Sequence, residues 1–189
     1  NNTIQTEMQI DSKQSVSDYV RLVEKNLLYL PKGKALILGL GGGVVANMFQ
    51  QHHYDVTAVE FDSRIIDMAK QFFYLSDSVK TVSADARYYI NNCTDKFNII
   101  LFDVFKAEEQ PSHVITKESL VKLKTMLDTN GIVLINTHGY LTGEKGLGTQ
   151  CMLATLKQAG FDIKICTFSE VEKYRNLLLV ASLKPIDVA

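Results

Sequence analysis

A chain of 189 residues, 46% hydrophobic and 22% charged, can bury the core of one soluble globular domain, and none of its apolar runs approaches the ~20 residues of a membrane span. Twenty basic residues against twenty-one acidic ones leave a net charge of −1, so no overall field draws the molecule to nucleic acid or to an anionic membrane surface. Three widely spaced cysteines, Cys93, Cys151 and Cys166, with no Cys-x-x-Cys pair, argue against a disulfide scaffold and a structural zinc site and fit a reducing, cytoplasmic compartment.

The first thirty residues are polar and then helical. Ser17 or Asp18 is placed to cap a helix whose apolar positions Tyr19, Leu22, Val23, Leu27, Leu28 and Leu30 roughly follow helical spacing, and Pro31-Lys32-Gly33 ends it. Short apolar runs then alternate with helical stretches. Strands are expected over 35–40, 56–61, 79–83, 97–102 and 132–137, and helices over 44–51, 63–73, 86–91, 116–127 and 148–158. Such alternation predicts a parallel sheet with helices on both faces. Two more strands, 161–168 and 177–183, close the chain. Only the eight residues 169–176 separate them, too few for a parallel crossover, so they should pair antiparallel. This mostly parallel seven-stranded α/β sheet with a C-terminal antiparallel hairpin resembles the Rossmann-like fold of class I S-adenosylmethionine-dependent methyltransferases.

Leu38-Gly39-Leu40-Gly41-Gly42-Gly43 follows the first strand and opens a helix. Glycines there allow positive φ and let a ligand approach the backbone, and the helix N-terminus favours an anionic or electron-rich group. Gly39, Gly41 and Gly43 are therefore candidate ligand-binding positions. A dinucleotide fingerprint would place glycine or alanine where Val44 stands.

Glu60 ends the second strand, 21 residues after Gly39, the spacing expected for a carboxylate that accepts from two ribose hydroxyls. Asp62 reads as the cap of the next helix. Asp85, beside the small Ala84 and Ala86, either accepts from an adenine amino group, caps the helix that follows, or does both. Asp103 ends the apolar run Ile99-Ile100-Leu101-Phe102, at the carboxyl edge where open α/β sheets bind ligands. Three carboxylates ending three strands give one rim of the sheet a negative potential despite the near-neutral chain. Such a rim repels a pyrophosphate and attracts a sulfonium or an amine. Asn136 and His138 at the end of the fifth strand, and His113 in the loop after Asp103, are further rim candidates. His52-His53 reads as a surface helix end. No His/Cys/Asp/Glu spacing suggests a metal, and no G-x-S-x-G elbow suggests a hydrolase.

These motifs together resemble the spermidine synthase (aminopropyltransferase) family over nearly the whole chain. The resemblance runs from Asn2-Thr3-Ile4-Gln5-Thr6 through Ser17-Asp18-Tyr19, the glycine turn, Val59-Glu60-Phe61-Asp62, Ala84-Asp85-Ala86 and Phe97-Asn98-Ile99-Ile100-Leu101-Phe102-Asp103. It continues through Ile115-Thr116-Lys117-Glu118-Ser119-Leu120 and Asn130-Gly131-Ile132-Val133-Leu134. The membrane-attached branch looks most similar, since it tends to carry Gly-Leu-Gly-Gly-Gly at the turn. The resemblance implies a donor, decarboxylated S-adenosylmethionine, an amine acceptor such as putrescine, and no metal. It implies that Gln5 and Tyr19 line the donor or amine pocket, that Glu60 holds the ribose, that Asp85 and Ala86 face the adenine, and that Asp103 orients or deprotonates the amine. It further implies a lead-in over 1–30 following an absent upstream region, a nucleoside-binding catalytic domain over 31–189 and, as options, a homo-oligomer and a membrane region upstream.

Three positions depart from the family pattern. Gly42 stands where the family has an aspartate that grips the donor's amine. The second acid of a D-x-x-D pattern is replaced by Lys106, with Glu108 and Glu109 nearby read as a solvated loop pair before substitutes for it, and Val20 follows the tyrosine where a polar residue is usual. A methyltransferase using S-adenosylmethionine and a non-catalytic nucleoside-binding domain therefore stand beside aminopropyl transfer as alternatives.

Overall fold

In the computed structural model, which describes residues 17–104, 115–168 and 174–185, the alternating pattern folds into a seven-stranded sheet with helices on both faces. The strands are β1 (Lys34–Leu38), β2 (Asp55–Glu60), β3 (Lys80–Ser83), β4 (Phe97–Phe102), β5 (Leu127–Gly139), β6 (Asp162–Cys166) and β7 (Arg175–Ser182). The helices are α1 (Asp18–Asn26), α2 (Val44–Gln51), α3 (Ser63–Phe72), α4 (Ala86–Asn92), α5 (Lys117–Met126) and α6 (Leu147–Gln158). Their order across the sheet is β3-β2-β1-β4-β5-β7-β6. Strands β1 to β5 run parallel, and β7 is antiparallel to both β5 and β6. The hairpin expected from the short connection is thus present.

Period-two alternation divides the core. Ala35 and Ile37 of β1, Ile99 and Leu101 of β4, Ile132 and Leu134 of β5, and Leu178 and Val180 of β7 bury on one face, under α1 and α2. Leu36, Leu38, Ile100, Phe102, Val133, Ile135, Leu177 and Leu179 bury on the other, under α4, α5 and α6. Central strands buried on both faces explain why their sequences read as continuous apolar runs. Helix α1 packs against β7 and α2, and its Val20, Leu22 and Val23 belong to the same buried cluster as Ile37 and Leu101.

Several boundaries differ from the expectations. The first helix keeps α geometry only to Asn26 and then tightens into a 3₁₀ turn over Leu27–Tyr29, which leaves Leu28 85% exposed instead of on the apolar stripe. The Asn26 side chain donates to the Leu22 carbonyl at 2.8 Å, competing for an acceptor of the helical ladder. Strand β5 begins at Leu127, five residues before the expected start, because Leu127 pairs with Phe97 across an irregular register; a Cβ on Gly131 would lie 2.9 Å from the Phe97 carbonyl oxygen. Strand β6 stops at Cys166, and Phe168 is exposed.

Candidate active site

Aligned strand ends build the rim. Leu38 lies opposite Val59 and Phe102, Glu60 opposite Ser83, and Phe102 opposite Ile135. The residues that follow leave the sheet at one level. The three acids do not sit on neighbouring strands, however. Strand β1 with its glycine turn lies between β2, which carries Glu60, and β4, which leads into Asp103.

The glycine turn is a close-packed part of this rim. Gly39 has φ +93°, its N–H donates to the Val59 carbonyl at 2.8 Å, and a Cβ on it would lie 2.3 Å from the Asp103 carbonyl oxygen. The Asp103 N–H donates in turn to the Leu38 carbonyl at 2.8 Å. Only glycine lets the turn and the Asp103 backbone approach so closely. Gly43, at φ +75°, occupies the N-cap of α2, and its N–H closes the turn on the Leu40 carbonyl at 2.9 Å.

The Glu60 carboxylate is held by two backbone amides. Oε2 accepts from Leu40 N–H at 3.0 Å and Oε1 from Asp62 N–H at 3.1 Å. Each oxygen keeps a further lone pair for a hydroxyl donor. Asp62 caps α3 as its sequence position suggests, accepting from the Arg64 backbone N–H at 3.0 Å. Hydrogen bonds from the Arg64 side chain hold its carboxyl down to about 2. Asp85 caps α4, accepting from Tyr88 N–H at 2.8 Å, and Ala86 is the buried first residue of that helix. The capping half of the expectation for Asp85 is therefore met in full.

Two elements converge on Asp103. Its Oδ2 accepts from the Tyr19 hydroxyl at 2.6 Å, from the first turn of α1. Its Oδ1 accepts from Asn136 Nδ2 at 2.8 Å, from the end of β5. Burial pushes the Asp103 carboxyl above its ordinary range, and the Tyr19 and Asn136 hydrogen bonds and the nearby His138 offset part of that rise. Burial, then the charge of Asp103, pushes the Tyr19 phenol well above its ordinary value, so it stays protonated and donates. A carboxylate has about four lone-pair positions; with two used by the protein, the others remain for a ligand.

His138 lies two residues beyond Asn136 on the same side of β5. It stacks on Tyr174 with ring centroids 6.1 Å apart, and desolvation outweighs its Asn176 hydrogen bond and Asp103, lowering its pKa and keeping it neutral at physiological pH. Gln5, Lys106, Glu108, Glu109 and His113 lie outside the described residues. Asn136 was legible only as one rim candidate among several. The signal that singles it out is register: Phe102 faces Ile135, so the next residues, Asp103 and Asn136, are neighbours. Among the described residues no group of three or more His, Cys, Asp or Glu side chains is arranged to hold a metal, and no helix is long and apolar enough to cross a membrane.

With this geometry in hand, residues 5–183 match the model of the spermine/spermidine synthase domain. The chain belongs to the spermine/spermidine synthase family. Among its relatives is a polyamine aminopropyltransferase of Vibrio vulnificus, 36% identical over 129 residues, which cover 63% of this chain and 42% of that protein. An N-terminal histidine N-methyltransferase of Emericella nidulans is 29% identical over 110 residues, 56% of this chain and 20% of that protein. The family domain here thus matches less than half the length of either relative. Among solved structures, a probable spermidine synthase from Corynebacterium glutamicum superposes with a TM-score of 0.82 at 19% identity, covering 96% of this chain and 70% of that one. Human methyltransferase-like protein 13, solved with SAH, superposes at 0.68 with 24% identity, covering 91% and 82%. These structural likenesses establish the fold, the seven-stranded Rossmann-like sheet expected from the sequence.

Proposed function

We propose that the protein transfers an aminopropyl group from decarboxylated S-adenosylmethionine to an amine acceptor such as putrescine, with Asp103 as the group that orients and deprotonates the amine. The observation that carries this reading is the enclosed carboxylate of Asp103, held by Tyr19 and Asn136 at the rim of the sheet in a chain of this family.

In the displacement, a C–N bond forms at the carbon next to the sulfonium as the C–S bond breaks, and the thioether leaves with the electron pair. The attacking nitrogen must be neutral. An aliphatic amine with a pKa near ~10.4 is almost wholly protonated at neutral pH, so an adjacent base is needed. A carboxyl raised by burial is a better proton acceptor than an ordinary one, and Asp103 is so placed. Tyr19 and Asn136 leave it free lone pairs but no freedom to swing, which supports alignment of the amine behind the departing sulfur. The anionic rim favours a cationic sulfonium donor over its neutral thioether product, which aids release.

The donor's nucleoside is assigned to the neighbouring strand ends. Glu60, braced by Leu40 and Asp62, takes the ribose hydroxyls. Asp85 and Ala86 at the start of α4 face the adenine, and Gly39, Gly41 and Gly43 let the donor lie against the backbone at the N-terminus of α2. Gln5 is assigned to the same pocket from the family pattern alone.

The test is Asp103→Asn in the intact protein. Turnover should fall at least 100-fold, the scale of a lost general base, with nucleoside affinity measured by calorimetry nearly unchanged. Undiminished turnover would remove Asp103 from the mechanism. Gly42, in place of the family's amine-gripping aspartate, favours one second reading, methyl transfer from S-adenosylmethionine. Tighter binding of S-adenosylmethionine than of its decarboxylated form would select it.

A further inference from the structure

We infer that Asn136 is a positioning residue for Asp103, its side-chain amide fixing the plane in which the carboxylate meets the acceptor amine. This rests on the reading of Asp103 given above.

Asn136 is 2% exposed and follows the fully apolar run Ile132, Val133, Leu134 and Ile135 in the most buried part of β5. A primary amide in such a place is costly unless its donors are used. Its Nδ2 donates to Asp103 Oδ1 at 2.8 Å. The backbone around both residues is held by the sheet: Asn136 lies opposite Leu178 of β7, and the Asp103 N–H bonds the Leu38 carbonyl. Tyr19 reaches the other oxygen from a different element, α1. One donor would leave the carboxylate able to turn about its Cβ–Cγ bond. Two donors, one on each oxygen, fix that torsion. Among the described residues, the groups that face Asp103 are Tyr19 from α1 and Asn136 and His138 from β5, with the Gly39 backbone just after β1 packed against its carbonyl. Tyr19 stays protonated and His138 neutral, so Asn136 and Tyr19 supply the hydrogen bonds that favour the ionised form of Asp103.

The readout is the pH dependence of kcat/KM in the intact protein. With Asp103 taking the proton of a bound ammonium, kcat/KM is level below the amine's pKa and falls with a slope of one where Asp103 becomes protonated, so that break reports Asp103. Asn136→Leu removes the donor and should move that break up by about one pH unit, the tenfold effect of one hydrogen bond to a charged group. Asn136→Asp keeps size and shape, so it carries the test should the leucine variant not fold. It sets a like charge beside Asp103 and should move the break at least as far. Nucleoside affinity should stay within about twofold in both, since neither touches the donor's pocket. A break at the parental pH in either folded variant overturns the role of Asn136 while leaving Asp103 untouched. Parental turnover in Asp103→Asn instead overturns the reading on which it rests.

Discussion

A carboxylate enclosed by a phenol and an amide, with its pKa raised by burial, is a residue that the folded state holds against its own stability. Because the folded pKa of Asp103 lies above its unfolded value, its contribution to stability is present in acid, below the unfolded pKa, and is lost as pH rises through the folded pKa. Asp103→Asn removes the buried charge and should therefore raise Tm at pH 7. The gain should shrink toward pH 4, and thermal unfolding at both values measures it. Gly39 is the opposite case, a residue without a side chain that nothing else can replace. Gly39→Ala places a methyl group 2.3 Å from the Asp103 carbonyl oxygen at φ +93°. It should cost at least about 1–3 kcal/mol in urea denaturation and displace Asp103, lowering turnover as well. Asp103 and Tyr19 could be singled out in the sequence because each carries chemistry in a recognisable local motif. Asn136 could not be singled out, since its partner lies 33 residues away in the chain, and only the pairing of β4 with β5 brings them together.

The elements show the same division between local and long-range causes. The starts of α3 and α4 were legible because a cap is a local event: Asp62 and Asp85 bond amides two and three residues ahead. The end of α1, the start of β5 and the end of β6 were not, because they depend on Asn26 meeting Leu22, Phe97 meeting Leu127, and β7 ending its pairing at Cys166. Helix α5 combines both kinds. Thr116 caps it by accepting from Ser119 N–H, and Arg87 of α4 donates to the hydroxyls of Thr116 and Ser119 at 2.8 and 2.9 Å. Thr116→Val removes the cap and one partner of the guanidinium while keeping the volume. Urea denaturation should show a loss of about 1–2 kcal/mol.

At the scale of the whole molecule, the fold followed from apolar strands alternating with amphipathic helices and from a connection too short for a crossover. The order β3-β2-β1-β4-β5-β7-β6 did not, because alternation gives direction without saying which strands are neighbours. That order sets the glycine turn between Glu60 and Asp103. It also has α1 packing on β7, where Leu22 is 2% exposed. Leu22→Ala should cost about 2–5 kcal/mol with unfolding still a single transition, since α1 shares the core of the sheet. The central claim concerns the chemistry at that rim, and product analysis reaches it most directly. The intact protein, given decarboxylated S-adenosylmethionine and putrescine, should form methylthioadenosine and the aminopropylated amine in equal amounts by mass spectrometry, and Asp103→Asn should form neither. Absence of both products, with S-adenosylmethionine converted to S-adenosylhomocysteine by the same preparation, would contradict aminopropyl transfer.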